Sequence, residues 1–130
     1  MSEYQTPLKR VRGLGSAREG VGHWWGQRLT AIALAPLSIW FAWLVVSLSG
    51  SDYTSVRQTL ASPLQAIPMI LFIYALFHHG QLGLQVVIED YVHQRPLEIG
   101  LLILVKFLAL AAGLTATIAV LILIFGATNS

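Results

Sequence analysis

An all-α integral membrane fold, with three spanning helices in one domain over residues 1–130, follows from three features of this chain. It is 55% hydrophobic and only 11% charged, with mean hydropathy +0.68, which is too apolar for a small soluble domain. Its apolar residues gather into three runs, each long enough to cross a ~30 Å hydrocarbon core at about 1.5 Å per residue. The breaks between runs hold Ser, Gly, Asp, Arg and Pro, residues that stop helices or stay in water.

Residues 1–28 read as a cytoplasmic N-terminal segment. Five of the eight basic residues (Lys9, Arg10, Arg12, Arg18 and Arg28) precede the first apolar run, against the acids Glu3 and Glu19. Basic clusters beside a span stay on the cytoplasmic side, so three spans carry the C-terminus to the opposite, periplasmic side. The first run starts too far from Met1, and is too long, for a cleaved signal core, and no small-residue cleavage site follows it. The acids also speak against a mitochondrial-type presequence.

The first span covers 29–48 and contains Pro36, where a missing backbone donor predicts a kink that a neighbouring helix must cover. Ser49–Ser62 is polar and reads as an exposed connection with a short interfacial helix. The second span covers 63–88. Ser62 is placed to cap it, Pro63 suits the first helical position, and Gln65 stands where a capping box would close. Arg95-Pro96 marks a boundary, because proline restricts the residue before it. The third span covers 96–125 and ends at Gly126, before the polar tail Ala127–Ser130.

Net charge is +2 and the isoelectric point is near 9.3. The basic excess sits beside a span, which points to topology and membrane lipid and away from nucleic acid. With no cysteine, the chain holds no disulfide, iron–sulfur ligand or thiolate haem ligand. Three spans leave no room for a soluble catalytic domain, no soluble catalytic or phosphate-binding motif is present, and the expectation is a non-catalytic subunit. A transporter is disfavoured, because no inverted repeat appears and no second helix carries an aligned polar stripe.

The ionisable residues inside the apolar runs carry the functional signal, since lipid cannot solvate them. On an ideal helix with His79 at zero, Gly83 falls near 40°, Val86 near −20° and Asp90 near 20°, at about 100° per residue. These residues share one stripe, with Tyr91 at the membrane edge about 18 Å along the axis from His79. A lone imidazole at that depth needs a partner. Haem iron would supply one, and Gly83, one turn away, has no side chain to block a flat macrocycle. The plainer reading is a hydrogen bond to a neighbouring helix. His78 competes as a ligand but points about 100° off the stripe. His23 and His93 lie at the edges and read as interfacial residues.

Tyr91 and Asp90 stand where an amphipathic molecule would enter. A phenol can hydrogen-bond a quinone carbonyl, and a carboxylate can orient it or pass protons. Against this, tyrosine is common at membrane interfaces and Glu-Asp after a helix is often a wet loop. Arg28 follows Trp24 and Trp25, an interfacial belt. It faces either lipid head groups or an anionic group in the membrane such as a haem propionate. Lys106 lies about 15 Å into the third run, too deep to snorkel easily.

Three segments, RGLGSAREG at 12–20, HWWGQRLTAIALAPLSIW at 23–40 and HHGQLGLQVVIEDYVH at 78–93, resemble the hydrophobic membrane anchor of bacterial succinate dehydrogenase, respiratory complex II, of the alphaproteobacterial type. The third is the most specific: histidine, glycine four residues on, then Asp-Tyr eleven and twelve on. Complex II has two anchors, and the histidine and entry motifs of the sister anchor are not found. The resemblance implies a six-helix membrane domain shared with that sister anchor in the bacterial inner membrane, docking the flavoprotein and iron–sulfur subunits. It implies a haem b between the anchors, with His79 as one axial iron ligand, Gly83 packing against it and Arg28 near its propionates. It implies ubiquinone bound by Tyr91 with Asp90 beside it, and it settles the choice between His78 and His79 in favour of His79. Lys106 matches no role in the pattern. Two alternatives stay open: the anchor of a quinol-linked fumarate reductase, and a cofactor-free structural or assembly membrane protein.

Overall fold

The computed structural model describes residues 16–126, with side chains from Gly20 onward. Lys9, Arg10 and Arg12, the side chain of Arg18 and the tail Ala127–Ser130 lie outside the described residues, and with them most of the basic cluster from which sequence reads direction. Four helices make up the described chain: α1 (Ser16–Ser47), α2 (Tyr53–Ala61), α3 (Pro63–Tyr91) and α4 (Arg95–Gly126). Three of them hold segments long and apolar enough to cross a membrane: Gly20–Ser47, Pro63–Tyr91 and Arg95–Gly126. The chain is an all-helical membrane protein.

Composition explains where these helices start and stop. Helix α1 runs through Pro36 as one element and ends in a tightened turn, with Leu48 N–H donating to Leu44 O and Ser49 N–H to Val46 O. Gly50 then takes φ +87°, a left-handed conformation open to glycine because no Cβ collides with the following carbonyl. Asp52 opens α2. The Ser55 hydroxyl donates to the Asp52 carboxylate, and that bond holds the Asp52 carboxyl below the ordinary carboxylate range.

Helix α3 starts at Pro63, as proline at a first helical position allows. The expected capping box does not form. The Ser62 hydroxyl donates backward to Thr59 O, and the Gln65 side chain accepts from the Trp40 indole N–H at 3.2 Å. A half-buried indole donor on α1 needs a partner more than a wet helix terminus does, so Gln65 ties two spans together.

Helix α3 is the middle element. It packs against α1 on one side and α4 on the other, while α1 and α4 do not meet; short α2 lies against α3 and α4. Phe41 of α1 stacks on Phe72 of α3, with ring centroids 4.8 Å apart. Gly113 of α4 receives Phe77 of α3, whose Cδ2 stands 3.5 Å from where a Cβ would be. The buried apolar residues are Leu44 on α1 and Ala66, Ile73, Ala75, Leu82 and Ile88 on α3. Helix α4 has no buried residue, so its apolar side chains are left to lipid or to other helices. Arg57 of α2 reaches the end of α4, with Nη2 3.2 Å from the Cβ position of Gly126, and a cation there is favoured by the helix dipole.

Replacing Gly50 by alanine forces a Cβ into the left-handed region and is expected to destabilise the chain by about 1 kcal/mol. Gly100, a helical position with open space around it, is the control, since alanine there favours the helix. Thermal unfolding in detergent should show a lower midpoint for Gly50→Ala and no decrease for Gly100→Ala.

Candidate functional site

The polar contacts inside the spans gather where α1 crosses α3. Two small residues one turn apart on α1, Gly26 and Thr30, let the helices approach, the way small residues do in membrane helix pairs. A Cβ on Gly26 would stand 3.3 Å from Leu82 Cδ1 and 3.8 Å from His78 Nε2. This closeness brings the α1 backbone within reach of an imidazole on α3.

His79 is that imidazole. It is half-buried, about 18 Å along α3 from Tyr91 at 1.5 Å per residue. Its Nδ1 lies 3.2 Å from the backbone carbonyl oxygen of Gln27 and 3.1 Å from the Thr30 hydroxyl. Thr30 is 8% exposed, and its hydroxyl donates to Gly26 O at 2.7 Å, with Gln27 O also near at 3.1 Å. Nε2 of His79 has no hydrogen-bond partner among the described residues. One ring nitrogen is thus tied to α1 and the other keeps its capacity to bind. The hydrogen bond to a neighbouring helix, weighed from sequence against ligation, is present and leaves ligation chemically open.

Gly83 lies on the same side of α3 as His79. A Cβ there would stand 4.0 Å from the Gln27 side-chain Nε2, an ordinary contact distance. Arg28, adjacent to Gln27 on α1, is exposed and lays its guanidinium 4.3 Å from the centre of the Trp24 ring, a cation–π contact. It has no acidic partner among the described residues, where Arg95 and Glu98 form the ion pair at 3.8 Å. At the far end of α3, Asp90 and Tyr91 are exposed, Tyr91 at 79%. The structure therefore brings His79, Gly83 and the α1 backbone together and leaves Asp90 and Tyr91 separate, facing outward.

His78 has different surroundings. Its ring stacks on Tyr74 at 5.6 Å and lines a mostly apolar cavity of about 330 Å³ between α3 and α4, together with Phe77, Gln81, Lys106 and Thr117. Lys106 is exposed, lines this cavity and has no carboxylate partner among the described residues. His93 Nδ1 donates locally to the Tyr91 backbone carbonyl oxygen, 3.2 Å away. Gln85 donates to Glu89 at 2.9 Å, and its own Oε1 is buried without a partner.

Gly26, Gln27 and Thr30 escaped the sequence reading, which looked for ionisable groups. The Gly26-x-x-x-Thr30 spacing is the signal that marks this face of α1 as a close-approach surface. The Gln27 contribution is a backbone carbonyl, which no residue pattern encodes.

The chain matches the family described as succinate dehydrogenase/fumarate reductase transmembrane subunit over residues 2–126. It is similar to the succinate dehydrogenase hydrophobic membrane anchor subunit of Rickettsia bellii, 32% identical over 108 residues that cover 83% of this chain and 86% of the relative. The subunit of the same name from Paracoccus denitrificans is 33% identical over 68% of each chain. The succinate dehydrogenase membrane anchor subunit of Reclinomonas americana is 34% identical over 72% of this chain and 80% of its own.

The tightness at Gly26 gives a test of the α1–α3 crossing. Gly26→Ala asks only the mobile end of Leu82 to yield, whereas Gly26→Val adds methyl groups that must push the helices apart, with overpacking costing about 1–3 kcal/mol. Thermal unfolding of the purified chain in lipid nanodiscs should fall clearly for Gly26→Val and little for Gly26→Ala.

Proposed function

The chain belongs to the family of succinate dehydrogenase/fumarate reductase transmembrane subunits, and from that premise we propose that it is one half of the membrane anchor of a succinate:ubiquinone oxidoreductase. In this reading it pairs with a second, sister anchor and docks the flavoprotein and iron–sulfur subunits at a bacterial inner membrane, N-terminus cytoplasmic and C-terminus periplasmic. Succinate oxidation belongs to the flavoprotein. Fumarate reduction remains the runner-up because the family description includes it, while the curated relatives are named for succinate dehydrogenase.

The observation that carries the reading is the state of His79. An imidazole within a span, with one nitrogen anchored to a neighbouring helix and the other without a partner among the described residues, has the donor chemistry of a haem ligand. A further ligand to the iron would come from the sister anchor. A b-type haem bound there would supply one-electron redox chemistry at the membrane centre. His79 would hold the iron through Nε2, Gly83 leaves the adjacent turn free of side chain, and Arg28, with no carboxylate of its own among the described residues, is suited to a propionate.

Tyr91 and Asp90 suit the quinone end. At the exposed C-terminal turn of α3 they face outward, where another subunit can complete a pocket. Tyr91 donates its hydroxyl proton to a quinone carbonyl and so positions the ring. Asp90, reached by water, hands on protons as the quinone is reduced to quinol. Electrons come from the soluble subunits; this chain contributes position and the proton path.

Two experiments on the purified complex separate the parts of this proposal. His79→Ala should abolish the reduced b-type optical band, and a band of unchanged height would remove His79 as the ligand. Tyr91→Phe should lower succinate:quinone reductase activity roughly tenfold or more, the loss expected of one positioned donor at about 1.4 kcal/mol per tenfold, while succinate oxidation with a soluble artificial acceptor stays intact. Equal loss of both activities would argue against a quinone contact.

A further inference from the structure

Every donor and acceptor around His79 Nδ1 can be assigned, and the assignment leaves one arrangement. Gln27 O is a carbonyl and only accepts, so at 3.2 Å it requires a proton on Nδ1. The Thr30 hydroxyl has a single proton, and its shortest contact is to Gly26 O at 2.7 Å, another group that only accepts. That contact claims the Thr30 proton and turns a lone pair of Oγ1 toward Nδ1, 3.1 Å away. His79 therefore donates from Nδ1 to a pair of acceptors on α1, which leaves Nε2 as the ring atom turned to a ligand.

We infer that Thr30, buried at the α1–α3 crossing, is a positioning residue that, as the second acceptor beside the Gln27 carbonyl, holds the ring plane of His79 and sets the electron-donating strength of its Nε2. The inference rests on the proposed ligand role of His79 and names what tunes it. Such outer-shell hydrogen bonds orient a ligating histidine and raise its basicity. A more basic ligand favours the oxidised iron, so the Thr30 contact lowers the midpoint potential of the bound group. The position is well suited to this. Thr30 is shielded from lipid, its own proton is held by the helix that carries it, and Gly26 beside it keeps the helices close enough for the contact to persist. Arg28, two residues away on α1, points elsewhere, over Trp24, so the two side chains act independently.

The test uses Thr30→Val, which keeps the shape and deletes the hydroxyl, with Thr30→Ser as the conservative variant. In the full complex, redox titration of the b-type band should show a more positive midpoint potential for Thr30→Val and a near wild-type value for Thr30→Ser. The low-spin signals in electron paramagnetic resonance should broaden or shift for Thr30→Val as the ring plane loosens. In the full chain in lipid nanodiscs, prepared without haem and labelled with ¹⁵N-histidine, the Nδ1 of His79 should be the hydrogen-bond donor in the wild type, and in Thr30→Val its resonance should shift toward that of a more weakly hydrogen-bonded N–H, because the Gln27 carbonyl remains and the second acceptor is gone. A complex without haem would overturn the ligand reading alone, and the nitrogen spectra would still decide the role of Thr30. Identical potentials and identical Nδ1 resonances in wild type and Thr30→Val would overturn the inference. So would a wild-type ring protonated at Nε2. If Thr30→Val fails to assemble, Thr30→Ala and Thr30→Ser compared by the same nitrogen spectra carry the test.

Discussion

Lipid offers no hydrogen bonds, and the placement of His79 depends on that. A polar ring within a span must find its partners in protein or in a bound group, because an unsatisfied one costs several kcal/mol. Here one side of the ring is satisfied by a backbone carbonyl and a threonine hydroxyl from α1. The contact works only because Gly26 and Thr30 let α1 come close to α3. Close approach of the spans, anchoring of the imidazole and the free state of its second nitrogen are thus consequences of one another.

The arrangement of the spans reinforces this. With α3 in the middle and α1 and α4 on its two sides without meeting, the described chain does not close into a bundle with an interior of its own. Few apolar residues are buried, and most of those lie on α3. The exposed faces of α1 and α4 are covered in a membrane by lipid or by helices of another chain. A shared four-subunit assembly, as proposed, would use those faces and would let a second chain approach α3, where His79, Asp90 and Tyr91 are strung along one helix. The cavity lined by His78 and Lys106 lies between α3 and α4, and His78 Nε2 also comes 3.8 Å from where a Cβ on Gly26 of α1 would stand, whereas His79 Nδ1 is hydrogen-bonded to α1. Adjacent histidines therefore occupy different environments, and sequence neighbourhood alone does not make them equivalent.

How legible the site was depends on the type of atom involved. His79, Arg28, Asp90 and Tyr91 stand out in the sequence because charge and aromatic hydroxyls are conspicuous in apolar runs, and the spacing of histidine, glycine and Asp-Tyr matches a known family. Thr30 gives a weaker sign, since threonine is common in membrane helices. Gln27 gives none for the part it plays, because the group that touches His79 is its main-chain oxygen. The same limit shows at Ser62 and Gln65. Their order in the sequence fits a capping box, yet Gln65 is drawn to Trp40 on another helix, and a local rule yields to a tertiary demand.

Composition and the rhythm of apolar runs were enough to determine an all-helical membrane chain with three crossings, because hydrophobic length against bilayer thickness is a one-dimensional property that needs no knowledge of neighbours. The residue pattern was likewise enough to assign the family. Only the tertiary structure decided that α3 lies between the other two, that His79 is hydrogen-bonded to α1 while His78 lines the cavity toward α4, and that a carbonyl and a hydroxyl hold Nδ1. Those outcomes depend on the azimuth at which two helices meet, and that is fixed by the shapes of small residues on both partners at once.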